Sequence, residues 1–315
     1  MTTAVSLKNE VAMQPKFTTN LLDRWLKFAG VCEKSQTTYN TAIKQLFKYF
    51  AANNITQPTR ENLYDWAESL KAAERSASTI QLYVTSFKLF FRWLGDEGLY
   101  PNIADHFKFK VKVNRKHKKG ALSAQQGANL LKAVQGDSEL AKRNRAIIAL
   151  MLTAGLRTIE IERANVGDIF EFGGKYYLKV QCKGHSTNDE EVLLATQVYA
   201  LIRDYLSCRD DVSEDSPLFV STSRRCKGNR LSTQTIRKMT KSYLRDIGLG
   251  DKRYSAHALR HSAAMQMILA GVAILEVKKC LHHQNIQTTM IYLEEADRFK
   301  ITAEQTVANS FFAGI

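Results

Sequence analysis

The first hundred residues repeat one pattern, in which apolar side chains recur three and four positions apart between polar ones. That spacing lays an apolar stripe along one face of a helix. Phe17–Phe28 carries Leu21, Leu22, Trp25, Leu26 and Phe28 on such a stripe, and a helix over Thr37–Ala52 would bury Tyr39, Ile43, Leu46, Phe47 and Phe50. Pro58-Thr59 opens a third segment, with Thr59 as the cap and Asn62–Leu70 as the helix. A fourth begins near Ser78-Thr79 and buries Ile80, Tyr83, Val84, Phe87, Phe90, Phe91 and Leu94; Gly95, Gly98 and Pro101 then end the unit. A helical domain of four or five helices over residues 17–107 follows, behind a tail of residues 1–16.

The pattern changes in the second half. Ser123 can cap a helix, and residues 141–154 form a strongly apolar helix ending at Gly155. Asp168–Phe172, Tyr176–Gln181 and Glu191–Leu194 then read as three short strands, with Gly173-Gly174 as a tight turn. Helical spacing returns over Gln197–Leu206, Thr233–Ile247, Ala256–Ala270 and Ile274–Cys280. The expected fold is mainly α: a helical N-terminal domain, and a mixed α+β domain over residues 122–300 with a small three-stranded antiparallel sheet. Residues 301–315 form a C-terminal tail with the apolar pair Phe311 and Phe312, suited either to docking on a neighbouring subunit or to folding back on its own domain.

Between the domains, residues 108–121 hold a run of cations: Lys108, Lys110, Lys112, Arg115, Lys116, Lys118 and Lys119. Its plain reading is a solvated basic linker. In a chain of 315 residues with a formal net charge of +14 and a pI near 9.5, it also reads as a strap along DNA phosphates, which gives Lys110, Lys112, Arg115, Lys116, Lys118 and Lys119 as DNA-contact candidates. Five scattered cysteines with no paired spacing fit reduced thiols. No segment has the length and apolarity of a membrane span, and Met1–Lys16 lacks a signal-peptide core, so a cytoplasmic protein with no membrane partner is expected, from a bacterium or phage.

Four clusters could carry chemistry, and each has a plainer reading. Arg157 follows Gly155 just past a helix end, with Glu160 three residues on; the plain reading is a surface ion pair. Lys183 sits in the Cys182-Lys183-Gly184 turn between two predicted strands, where a lysine is usually just solvated. In His257-Ala258-Leu259-Arg260-His261, helical spacing puts His257 and Arg260 on one face and Leu259 toward the core. His282-His283 precedes Tyr292, with Gln287-Thr288-Thr289 between; the His pair hints at a metal, but no nearby Asp, Glu or Cys completes a site, and no metal or other cofactor is expected. Tyr292 by itself reads as a core aromatic.

Their combination carries more. Metal-free cleavage of a phosphodiester needs cations on the free oxygens, a task suited to two planar guanidiniums. It needs a nucleophile whose covalent product stores the bond for religation, and groups that move protons to and from it. Two Arg, two His, one Lys and one Tyr supply these types.

With these residues in place, the chain closely resembles the tyrosine recombinase, or phage-integrase, family. Ala154-Gly155-Leu156-Arg157-Thr158-Ile159-Glu160 is similar to that family's first arginine motif, His257-Ala258-Leu259-Arg260-His261-Ser262 to its His-x-Leu-Arg-His box, and Leu281-His282-His283 with Tyr292 to its Leu-Gly-His box and terminal tyrosine. Ser78-Thr79-Ile80 and Phe90–Leu94 resemble its SAM-like core-binding domain, so the likeness spans roughly residues 17–300. It implies Tyr292 as nucleophile forming a 3′-phosphotyrosyl bond, Arg157 and Arg260 on the non-bridging oxygens, and Lys183 as donor to the leaving 5′ oxygen. His257 would serve in proton transfer with Tyr292, His283 on the phosphate, and Glu160 as support for Arg157. It further implies double-stranded DNA as partner, a homotetramer exchanging strands through a Holliday junction, and accessory DNA-bending or directionality proteins. The expected role is integration or excision of a mobile element or phage, with Xer-like resolution of chromosome or plasmid multimers as the alternative. A type IB topoisomerase and a non-catalytic DNA-binding protein are the rival classes. Two departures stand out: His282 replaces the family's usual Gly, and Asn188, Asp189 and Glu190 follow Lys183 where basic residues are common, which leaves Lys179 and Lys175 as alternatives on that hairpin.

Overall fold

The computed structural model describes residues 17–30, 33–111, 120–182, 187–210, 212–300 and 303–313. Lys183 and the linker cations Lys112, Arg115, Lys116, Lys118 and Lys119 lie outside the described residues. The chain divides into two compact units, Met1–Arg115 and Lys116–Ile315.

Four helices build the first unit: α1 (Thr19–Phe28), α2 (Glu33–Ala52), α3 (Arg60–Ala72) and α4 (Ala77–Asp96). The expected stripes of α2 and α4 face its core, where Ile43, Leu46, Phe87, Phe90, Phe91 and Leu94 are fully enclosed. Each such side chain contributes about 1.5–3 kcal/mol through burial. Phe28 departs from the reading: on the last turn of α1, at the edge of its stripe, it is exposed. The start of α3 follows its sequence signal, since Thr59 and Asn62 form a reciprocal capping box. The core runs on through Phe107 to the half-buried Phe109 and Val111, and the Tyr64 hydroxyl donates to the Lys108 carbonyl at 2.8 Å. The described start of the basic stretch therefore packs on the helical unit, with Lys110 exposed.

The second unit opens with α5 (Ala124–Ala133) and α6 (Glu139–Thr153), capped by Ser123 and Ser138. A short α7 (Thr158–Arg163) leads into β1 (Ile169–Phe172), β2 (Lys175–Val180) and β3 (Glu190–Leu194). These pair antiparallel in the order β1-β2-β3, as the sequence predicts. Phe172 faces Lys175 across a two-residue turn in which Gly173 and Gly174 both have positive φ, the geometry that follows the natural twist of a hairpin. Then come α8 (Thr196–Leu206), α9 (Thr233–Asp246), α10 (Ala256–Leu269) and α11 (Ile274–Cys280). Two further helices, α12 (Gln287–Lys300) and α13 (Ala303–Phe312), were not expected; the latter leaves Val307, Phe311 and Phe312 exposed. Helix α10 is buried on nearly every side and forms the centre of the unit. No helix among the described residues is long and apolar enough to cross a membrane.

Candidate active site

The site begins at a turn. Helix α6 ends at Thr153, and Gly155 takes φ +66° to reverse the chain. A Cβ on Gly155 would lie 2.6 Å from Leu281 Cδ2, so the turn needs glycine both for its backbone and for close approach. Leu156 and Ile161 anchor the next segment in the core. Between them, the Glu160 carboxylate accepts from the Arg157 backbone N–H and from Arg157 Nη1, each at 2.7 Å. The plain expectation of a surface ion pair is corrected here: Glu160 is 0% exposed and the Arg157 side chain 26%, because the apolar flanks draw the turn inward.

Arg260 projects from the first turns of α10 and is 1% exposed. Its Nη1 donates to the Gly155 carbonyl at 2.8 Å and its Nη2 to the Leu281 carbonyl. Glu160 Oε2 lies 3.8 Å from Nη1, so one carboxylate serves both guanidiniums. Burial, and then repulsion from Arg157, push the Arg260 pKa down to about 10, with Glu160 opposing. It stays charged at neutral pH, a buried cation tolerated because donors and charge both find partners.

His283 is placed by the end of α11. The His282 N–H bonds the Lys279 carbonyl at 2.9 Å and the His283 N–H bonds the Lys278 carbonyl at 3.1 Å, the double closure of a Schellman cap. The residue at the left-handed position of that cap is His282, with φ +49°. This is the physical reason a glycine suits the position. His283 is buried, and its Nδ1 meets the Thr289 hydroxyl at 2.9 Å. Burial, with Arg260 and Arg157 next, pushes its pKa down to about 3, so the ring is neutral at pH 7.

Tyr292 lies on α12 in the apolar seam of Ala264, Met265, Val277 and Leu281, and is 1% exposed. Its ring sits 6.1 Å from the His283 ring and 5.0 Å from that of His261, whose Nε2 meets Glu295 at 3.0 Å. Burial raises the Tyr292 pKa, while Arg260 and then Arg157 pull it down. Both guanidiniums thus act on the phenol, and Arg157, Glu160, Arg260, His283 and Tyr292 form one cluster.

Other predicted residues stand at its margin or apart. His257, on the first turn of α10, is exposed. Lys179 lies over the Phe170 ring at 5.2 Å, and Lys175 is exposed at the start of β2. Asn188 donates to Asp168 at 2.7 Å, which ties the far arm of the hairpin to the turn before β1. The reading that no acid or cysteine completes a site around the His pair is corrected. Ligand atoms of Glu160, Cys182 and His282 lie within 4.8 Å of one another, since the fold joins the α7 turn, the end of β2 and the α11 cap. Cys182 is a buried thiol pushed up to about 11, first by burial and then by Glu160. Sequence reasoning assigned no role to Thr289 or Glu295; the spacing of Thr289 one helical turn before Tyr292 was the available signal for the first.

Fold and site define the tyrosine-recombinase class of enzymes. Residues 121–298 match the phage integrase family and residues 22–98 match the N-terminal SAM-like domain of phage integrases. The chain belongs to the phage integrase family. Among curated relatives, the tyrosine recombinase XerA of Pyrococcus furiosus is 28% identical over 84% of this chain and 87% of its own length. The tyrosine recombinase XerC of Caldanaerobacter subterraneus subsp. tengcongensis is 34% identical over 56% of this chain and 47% of its own. Among solved structures, the XerH site-specific recombinase bound to palindromic difH substrate superposes with a TM-score of 0.71 at 20% identity, over 95% of this chain and 90% of that one. The Tn1549 transposon integrase with transposon right end DNA superposes with a TM-score of 0.69 at 15% identity, over 90% and 99%.

Proposed function

We propose that this chain is a site-specific DNA recombinase that cuts and rejoins double-stranded DNA through Tyr292. The observation that carries the reading is the buried Glu160 carboxylate flanked by Arg157 and Arg260, whose charges act on the enclosed Tyr292 phenol. In the proposed reaction Arg157 and Arg260 bind the non-bridging oxygens of the scissile phosphate and neutralise charge as it builds up. Tyr292 Oη attacks phosphorus and passes its proton to His257. The bond to the 5′ oxygen breaks, and that oxygen takes a proton from Lys183. A 3′-phosphotyrosyl ester remains, and a 5′ hydroxyl from a second duplex reverses the step, so the phosphodiester energy is conserved. Neutral His283, its Nδ1 accepting from Thr289, offers Nε2–H to the phosphate. Four copies acting on two duplexes would exchange strands through a Holliday junction, with the exposed apolar face of α13 (Val307, Phe311, Phe312) as the subunit contact. Lys110 and the cations after it are proposed as the phosphate strap, in a protein acting on cytoplasmic, nucleoid DNA.

The test compares the native chain with Tyr292→Phe on genomic DNA. The native chain should form a protease-sensitive covalent adduct, and the variant should bind equally well without one. An adduct in the variant would overturn the assignment. Sequencing the DNA trapped on the native chain separates mobile-element junctions from a chromosomal or plasmid resolution site, the two roles that the site chemistry serves equally.

A further inference from the structure

Around Glu160 the fold gathers three side chains with metal-ligand chemistry. Glu160 and Cys182 are buried, at 0% and 4% exposure, and their ligand atoms lie within 4.8 Å of each other and of a ring nitrogen of His282. His282 Nδ1 is enclosed and has no hydrogen-bond partner. An imidazole nitrogen that carries no hydrogen bond can offer its lone pair to a metal ion. An enclosed nitrogen left unpaired is unfavourable, and His282 also stands at the left-handed position of the α11 cap, where glycine is the unstrained choice. Two local penalties are thus accepted to keep an imidazole beside a thiol and a carboxylate.

We propose that Cys182, His282 and Glu160 form a binding site for a thiophilic divalent cation of the zinc class, and that occupancy slows DNA cleavage. One thiolate, one imidazole and one carboxylate, with a fourth position open to water, is a donor set that suits zinc. Binding converts Cys182–SH and the ion into a Cys182–S–metal bond and one proton released to solvent. The ion draws on the carboxylate charge that holds Arg157 and faces Arg260, which loosens the grip on the phosphate. It also pins Cys182, the residue next to Lys183 in the chain.

Cobalt(II) is the probe, titrated into the reduced full-length protein. One ion per chain should bind with a thiolate-to-cobalt charge-transfer band, and Cys182→Ser should abolish that band. His282→Gly, which suits the backbone at that position, should fold and lose the band as well. No band, or a band that survives Cys182→Ser and so reports the exposed Cys208, Cys226 or Cys280, would overturn the site. Stoichiometric zinc should slow covalent adduct formation by the native chain, reversibly with a chelator, and leave the rate of His282→Gly unaltered; equal slowing of both would overturn the coupling to cleavage.

Discussion

A Gly155→Ala variant places a methyl group where the backbone and the packing both resist it. At φ +66° an L-residue is disfavoured by about 1–2 kcal/mol. The added Cβ would stand 2.6 Å from Leu281 Cδ2 and 3.4 Å from Ala263 Cβ, and Leu281, fully enclosed, cannot swing aside into solvent. Overpacking of this kind costs about 1–3 kcal/mol, and the reduced freedom of the unfolded chain returns about 0.4–1 kcal/mol. The net loss is roughly 2–4 kcal/mol, which for a unit of this size lowers the thermal midpoint by about 6–12 °C at the middle of that range. Function should fall further than stability, since the carbonyls of Gly155 and Leu281 both hold the Arg260 guanidinium. Thermal and denaturant unfolding, with single-turnover cleavage below the midpoint, measure the two effects. Leu281→Ala supplies the control: in that background the clash vanishes and Gly155→Ala should cost only its backbone share of about 1–2 kcal/mol. Additive losses in the double variant, or a Gly155→Ala chain as stable and active as the native one, would refute the reasoning.

Glu160→Gln removes the charge shared by two guanidiniums; because Arg157 is partly solvated and glutamine still accepts one hydrogen bond, a loss of about 2–3 kcal/mol is expected in denaturant unfolding, at or just below the low end of the about 3–5 kcal/mol for a broken buried pair. Burial raises the Tyr292 pKa, so the protonated phenol contributes stability that is complete below pH 10 and is lost as pH rises through the folded-state value. Unfolding titrations should therefore show the native chain losing ground to Tyr292→Phe above pH 10, and a stability difference that stays flat from pH 8 to 11 contradicts the stated burial. Glu295→Ala removes the carboxylate that meets the buried His261, whose ring lies 5.0 Å from that of Tyr292, the proposed nucleophile; cleavage should slow while DNA affinity, measured by mobility shift, stays within about twofold, and Glu295→Gln, which keeps an acceptor, should recover most of the rate.

Much of this was legible in the residue order because local rules and tertiary packing agree. The stripes of α2 and α4, the Thr59 cap and the Gly173-Gly174 hairpin are each specified by near neighbours, and the folded units use them unchanged. Helix α12 shows no clear stripe in the sequence because Met290, Ile291, Tyr292 and Leu293 run together, with only Ala296 and Phe299 beyond them. The boundary at Phe28 failed for a related reason: a side chain at the edge of a stripe is placed by the neighbouring helix, not by its own. The Arg157–Glu160 pair was visible as a spacing, but its burial depends on Leu156 and Ile161 packing into a distant core. The proximity of Glu160, Cys182 and His282 could not be read at all, since more than a hundred residues separate the first from the last and only the closed fold joins them.

The anchoring of Arg260 has a protective side. Its guanidinium is oriented by carbonyls contributed from two separate stretches of chain, one at the end of α6 and one at the end of α11. A nascent or heat-loosened polypeptide lacks one or both of those anchors, and with them the orientation that the proposed grip on a phosphate requires. With Arg260 in its proposed role, DNA cleavage would be restricted to molecules whose second unit has finished assembling, and a damaged copy would fail as an inert protein rather than as an indiscriminate nuclease.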